Sequence, residues 1–174
     1  MTEQLRDEVD RIVDAWRRER PDLDVAAMQV LSRVTRLARH LDRQRAAAFG
    51  AHGLESWEFD VLAALRRAGQ PYQLSPGQLL RATGVTSGTM TNRVDRLAAR
   101  MLVERADHPD DRRGVLVRLT AQGRAGVDAA LADLLAAEQT LLEAVSQDDQ
   151  DQLAGSLRRL LAPYDDQGPA PDEW

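Results

Sequence analysis

The stretch LSPGQLLRATGVTSGTMTNRVDRLAARM, Leu74 to Met101, leaves few folds open. Ser75, Pro76 and Gln78 stand in the order of an N-cap, a first helical residue and a capping-box partner. About two turns later Gly84 ends that short helix. Thr86 stands as the cap of a second helix, along which Met90, Val94, Leu97 and Met101 recur at spacings of three and four as an apolar stripe. Two helices joined by a short turn containing glycine read as a helix-turn-helix.

The flanking sequence sets what surrounds this unit. Val103 to Arg105 and Val115 to Leu119 read as short strands around the loop ADHPDDRRG, although Leu116 breaks a clean alternation. The expected fold is therefore mainly α with a small β-hairpin wing, a winged helix-turn-helix. Upstream, Leu5, Val9, Ile12, Val13 and Trp16 mark an amphipathic helix that stops before Pro21. A second helix is marked by Val30, Leu31, Val34, Leu37, Ala38 and Leu41 and ends near Gly50. A third, through Trp57, Val61, Ala64 and Leu65, is broken by AGQPY. Downstream, Thr120 caps a long Ala/Leu helix to about Val145, and Ser146 caps a last one reaching Leu161. The organisation predicted is a helical dimerisation region at 1–50 and 120–163, a DNA-binding winged region at 51–119, and a disordered acidic tail at 164–174. Both end regions are amphipathic with no partner in a small winged core, so they should pair two chains.

Composition narrows the function. Apolar residues make up 43 % of the 174, too many for a disordered chain. The absence of cysteine excludes disulfides, thiolate metal sites and a cysteine nucleophile. His40, His52 and His108 lie in unrelated segments without ligand spacing, and neither a Gly-rich phosphate loop nor a G-x-S-x-G elbow occurs. The chain is accordingly read as no enzyme, with no metal and no cofactor. Its N-terminus is acidic and amphipathic, unlike a signal peptide, and no run approaches the ~18 apolar residues of a membrane span. A cytoplasmic protein without a membrane partner is expected.

Charge placement points to nucleic acid. The formal net charge is -5, and all 23 cations are arginine. Between Arg81 and Arg118 eight arginines face five carboxylates, a local excess of +3 on an acidic body. On the helix after Thr86, the side opposite the apolar stripe carries Gly88, Thr89, Asn92, Arg96 and Ala99. A helix entering a major groove needs little bulk near its start, followed by Asn for adenine or Arg for guanine edges. Ser87 and Thr91 complete the DNA-facing set. A merely solvated face is the alternative. In the wing, Arg112 and Arg113 can reach into a minor groove, and Asp110 or Asp111 can brace an arginine by a bidentate pair. A salt-bridged surface hairpin is the other reading. A carboxylate metal site at Asp107, Asp110 and Asp111 is disfavoured by the adjacent arginines.

Leu74 to Thr120, and above all DDRRGVLVRLT, resemble the MarR family of bacterial transcriptional regulators. The resemblance implies a homodimer on double-stranded DNA carrying an inverted repeat, and repression relieved by a small molecule. It also implies that Asp111 braces and Arg113 enters the groove. Trp16, Asp60, Arg93 and Arg105, with the extra N-terminal helix and the runs FDVLAALRRAG and TSGTMTNRVDRL, resemble the urate-responsive branch of that family. This implies a ligand pocket in which a small anionic aromatic such as urate or a phenolic acid stacks on Trp16 and pairs with arginine. By position alone, Asp60 reads as a half-buried carboxylate needing a partner, and Arg93 flanks the recognition helix and faces the protein body. Trp16 as simple core, and Asp60–Arg93 as a static ion pair, are the alternatives. The rival functions are a helical interaction protein and a DNA-binding protein without a ligand response.

Overall fold

The computed structural model describes residues 6–107 and 114–165. In chain order the elements are α1 (Glu8–Glu19), α2 (Met28–Gly50), α3 (Ser56–Arg67), β1 (Gln73–Leu74), α4 (Pro76–Thr83), α5 (Ser87–Ala99), β2 (Val103–Asp107), β3 (Val115–Leu119), α6 (Ala121–Leu142) and α7 (Gln147–Asp165). They divide into two units, 1–45 and 46–174. No helix among the described residues is long and apolar enough to cross a membrane.

In the first unit, Asp7 caps α1. Its carboxylate accepts from the Asp10 amide (3.1 Å), while the Asp7 amide donates to the Asp10 carboxylate (2.9 Å). Arg33 of α2 donates to both carboxylates at 2.9 Å. Val9 and Val13 are buried, but Trp16 is 47 % exposed.

The second unit is built on α3, seven of whose twelve residues are buried. Phe49 at the end of α2 stacks on Phe59 with ring centroids 3.9 Å apart. Leu79 of α4, Met90, Val94 and Leu97 of α5, Val117 and Leu119 of β3, and Val127, Ala130 and Leu134 of α6 share one core with α3. The first half of α6 thus belongs to the same core as the helix-turn-helix. There the apolar face of α6 covers α3.

The caps read from sequence form as expected at α4. Ser75 Oγ accepts from the Gln78 amide (3.2 Å), the Ser75 amide donates to Gln78 Oε1 (2.8 Å), and Gly84 closes the helix at φ +68°. The hydroxyl of Ser75 is therefore used on its own helix. Thr120 caps α6 through the Gly123 amide at 3.0 Å. Thr86 precedes α5, but its hydroxyl meets the Thr89 hydroxyl at 3.0 Å instead of a backbone amide.

Four expectations change. The sheet has three antiparallel strands in the order β1-β3-β2, where a two-stranded hairpin was predicted. A two-residue strand carries no alternation to read, yet Gln73 pairs with Arg118 and Leu74 with Val117. As the central strand, β3 buries both Leu116 and Val117, which lie on opposite faces. Met101 leaves the apolar stripe: α5 ends at Ala99, Met101 turns into the left-handed region at φ 57°, and it is 68 % exposed. Leu102 takes the buried place. Helix α6 ends at Leu142, short of Val145, and α7 runs to Asp165 with Pro163 in its last turn. Tyr164 and Asp165 are therefore helical where tail was expected. Residues 166–174 of that tail lie outside the described residues.

The start of α6 is locked onto the α5–β2 turn. Thr120 Oγ1 donates to the Met101 carbonyl at 2.7 Å, and a Cβ on Gly123 would lie 2.0 Å from the Leu102 carbonyl oxygen. Gly123→Ala should lower stability by at least ~1–3 kcal/mol in urea unfolding, because backbone must move. Gly126→Ala, with open space at its Cβ, should be neutral or stabilising by up to ~1 kcal/mol. Equal effects of the two substitutions would contradict this packing.

Candidate nucleic-acid interface

Helix α5 presents three differently occupied sides. Met90, Val94 and Leu97 point into the core. At about 100° per residue, Gly88, Thr89, Asn92 and Arg96 lie opposite, and all four are exposed. This outward face is small at its N-terminal end, then polar, then cationic. Thr89 and Asn92 offer short side chains there, and Arg96 a guanidinium one turn on. Arg105 at the β2 edge donates to Asp95 Oδ1 on α5 (2.6 Å), so the one acidic group on this stretch of helix is paired.

One flank of α5 meets the first turn of α3. Arg96 Nη2 donates to Glu55 Oε1 at 2.8 Å, and Trp57 Nε1 donates to Glu55 Oε2 at 2.7 Å. The Arg96 and Arg93 guanidinium carbons lie 4.7 and 5.4 Å from the centre of the Trp57 ring, both within cation–π range. The hydrogen bond from Trp57, and next the charge and hydrogen bond of Arg96, hold the Glu55 carboxyl below the ordinary glutamate value against the effect of burial. These residues, with Gly88, Thr89 and Asn92, line one open cleft.

The other flank borders an apolar cavity of about 250 Å³ between α4, α5 and the wing strands. Pro76, Leu80, Met90, Val94, Val115 and Val117 form its walls; Ser87, Thr91 and Arg105 supply its polar groups. The Thr91 hydroxyl also donates to the Ser87 carbonyl one turn back, at 3.1 Å.

Behind both flanks, Arg100 at the end of α5 donates to the Glu58 carboxylate and to the Gly53 carbonyl (2.8 Å). Glu58 is 1 % exposed and also accepts from the Glu55 amide at 2.9 Å. A buried carboxylate held by an amide and an arginine fixes the helix it pairs with, because losing either partner leaves charge unsatisfied.

The residues singled out from sequence are thus distributed as follows. Thr89, Asn92 and Arg96 share the outward face, while Ser87 and Thr91 sit at the cavity flank. Arg93 turns inward as expected, onto Trp57. Arg105 and Arg93, expected in one pocket, line different cavities on opposite flanks of α5. Asp60 is exposed where half-burial was predicted; with seven neighbours in α3 turned inward, its direction is the one left to solvent. Trp16 belongs to the first unit. Asp111, Arg112 and Arg113 lie outside the described residues. Sequence reasoning missed Glu55 and Trp57, whose only signal was an aromatic beside a carboxylate in the first turn of a helix.

Comparison with known proteins agrees with this geometry. The MarR family profile matches residues 52–114. The transcriptional regulator PecS of Dickeya dadantii is 37 % identical over 153 residues, covering 88 % of this chain and 92 % of PecS. A mutant MarR from E. coli, solved in complex with operator DNA, superposes with a TM-score of 0.63 at 28 % identity, over 80 % of this chain and 99 % of that one. BpsR of Bordetella bronchiseptica, whose DNA binding is regulated by 6-hydroxynicotinic acid, gives a TM-score of 0.56 at 29 % identity, over 73 % and 91 %.

The direction of the Glu55 shift has a measurable consequence. A depressed carboxyl keeps its charged interactions above its unfolded value and loses them only as pH falls through the lower folded value. The Trp57 indole N–H resonance, assigned with Trp57→Phe, should stay fixed through the range in which an ordinary glutamate protonates and move only at lower pH. Movement at the ordinary value would show that Glu55 is not held by Trp57 and Arg96.

Proposed function

Because this chain belongs to the MarR family of DNA-binding transcriptional regulators, and so is a regulator and not an enzyme, we propose that it acts in the cytoplasm as a homodimeric repressor. It binds an inverted-repeat operator and is released by a small anionic aromatic ligand. The exposed outward face of α5, small, polar and then cationic, carries the DNA reading. Thr89, Asn92 and Arg96 meet base edges, while Ser87 and Thr91 lie towards the backbone side. Arg113 enters the minor groove, Arg112 assists it, and Asp111 braces the wing. Two copies would present recognition helices about one turn, roughly 10 bp, apart. Leu131, Leu135, Leu142, Leu153, Leu160 and Leu161 of α6 and α7 are exposed at 39–55 %, and no described residue of α7 is buried. A second copy is the occupant that would cover them.

The DNA reading is tested by affinity on a selected operator against random duplex. Asn92→Ala and Arg96→Ala should each cost ~1–3 kcal/mol on the operator only. Arg113→Ala should weaken both and lower the salt slope by about one unit. Equal losses on both DNAs for Arg96→Ala, or a monomer by light scattering at micromolar concentration, would overturn the reading.

The ligand reading is supported by the cavity beside Thr91. Its volume of about 250 Å³ lies below the roughly 300–1,000 Å³ of drug-sized sites, room for a one- or two-ring molecule. Arg105 offers the cation an anionic group needs. A ligand taking Arg105 from Asp95 would loosen β2 from α5, shifting the recognition helix. Trp16, Asp60 and Arg93 are the further candidates that the likeness to the urate-responsive branch brings. Release requires tighter binding to the free form than to the DNA-bound one. A ~100-fold drop in DNA affinity corresponds to about 2.7 kcal/mol of coupling. Gel shifts with urate, 6-hydroxynicotinate and a phenolic acid should show release in the wild type and a blunted response in Arg105→Ala. Asp60→Asn separates the candidates: a normal response there removes Asp60 from the site.

A further inference from the structure

Arg96 differs from an ordinary surface arginine in how it is held. One nitrogen, Nη2, is engaged by Glu55 Oε1, and the guanidinium carbon lies over the Trp57 ring, 4.7 Å from its centre. Glu55 is in turn fixed by the Trp57 indole N–H and by its place at the start of α3. The three side chains form a closed set, Trp57 to Glu55 to Arg96 and back to the Trp57 ring. A guanidinium carries five N–H donors in a rigid fork. A single carboxylate contact and a stacked ring leave most of that fork free while removing much of its rotational freedom. Arg93, one turn earlier, lies over the same ring with its guanidinium carbon 5.4 Å from the centroid.

We propose that Trp57 and Glu55 are positioning residues that hold the Arg96 guanidinium ready for a guanine edge, making base specificity at that contact depend on a residue outside the recognition helix. The proposal rests on the reading of Arg96 as a base contact. The physical advantage is entropic. Arginine is among the most flexible side chains, and ordering it on binding opposes association. A pre-stacked fork meets that cost in the free protein. Lysine in its place would have no flat face to lay on the indole and no rigid planar fork to aim.

The test uses full-length protein, a site selected by the wild type from random duplex, and random duplex itself. Trp57→Ala should lower affinity for the selected site about 5–30-fold, the size of a cation–π contact at a partly desolvated place, with random-duplex affinity changed less than about twofold. Trp57→Phe, which keeps a ring face without the N–H donor, should recover part of the loss, and Glu55→Gln should give an intermediate loss. Trp57 also packs against the core, so thermal unfolding is followed for each variant and Trp57→Phe carries the comparison if Trp57→Ala does not fold. The decisive measurement is Trp57→Phe combined with Arg96→Ala. If Trp57 acts through Arg96, the pair loses no more than Arg96→Ala alone. Additive losses would mean that Trp57 meets DNA itself and overturn the positioning role while leaving Arg96 a base contact. Equal loss on both DNAs for Arg96→Ala alone would instead remove the base contact on which the proposal stands.

Discussion

Burial of α3 is the constraint from which the rest of the second unit follows. With seven of its twelve residues inside, including Phe59, Val61, Leu62 and Leu65, it must be covered on nearly every side. Helices α4, α5 and α6, strand β3 and the end of α2 each contribute apolar groups to that one core. Each such side chain, fully buried, is worth roughly 1.5–3 kcal/mol. Met90, Val94 and Leu97 seat α5 in this core and Arg100 ties its end to the buried Glu58, which leaves its outward side available for contacts that stability does not dictate.

Those other sides are organised by arginine. Arg96 and Arg93 lie over Trp57, Arg105 meets Asp95, Arg100 meets Glu58, and Arg118 donates to Gln73 Oε1 while facing Glu104 across the sheet. In a chain of net charge -5 whose 23 cations are all arginine, those around α5 can be fastened in set directions, because a planar fork stacks and bonds at once. Paired surface charges contribute little to stability. Their consequence is geometric: the cations near α5 are held at particular angles, and the same carboxylates that hold them can be displaced by an anionic partner.

The two flanks of α5 border two different spaces. The cavity at one flank touches Ser87, Met90, Thr91 and Val94, one turn or less from the outward face formed by Thr89 and Asn92. The cleft at the other contains Arg93 and Arg96. Anything that wedges into the first or unstacks the second acts on α5 itself, without passing through a long chain of contacts.

What could be read from the amino-acid sequence was local. Ser75, Pro76, Gln78 and Gly84 define α4 because capping is decided within four residues, and the three-four spacing of Met90, Val94 and Leu97 fixes the inner face of α5 because helical periodicity is a property of the segment. The helix-turn-helix and the outward Thr89–Asn92–Arg96 face followed from these, and the family from the likeness of Leu74 to Thr120, above all DDRRGVLVRLT. Tertiary structure decided what depends on distant partners. Glu55 and Arg96 are 41 residues apart and form no pattern along the chain. The two-residue β1 exists only because β3 lies beside it. Met101 continues the stripe in sequence but not in space, since the chain must turn at Arg100 to bring Leu102 beneath Gly123. Asp60 and Arg105 likewise took their surroundings from packing. Periodicity orders residues around one helix axis; it carries no information on which neighbour arrives at each side, and that is set by how the whole core closes on α3.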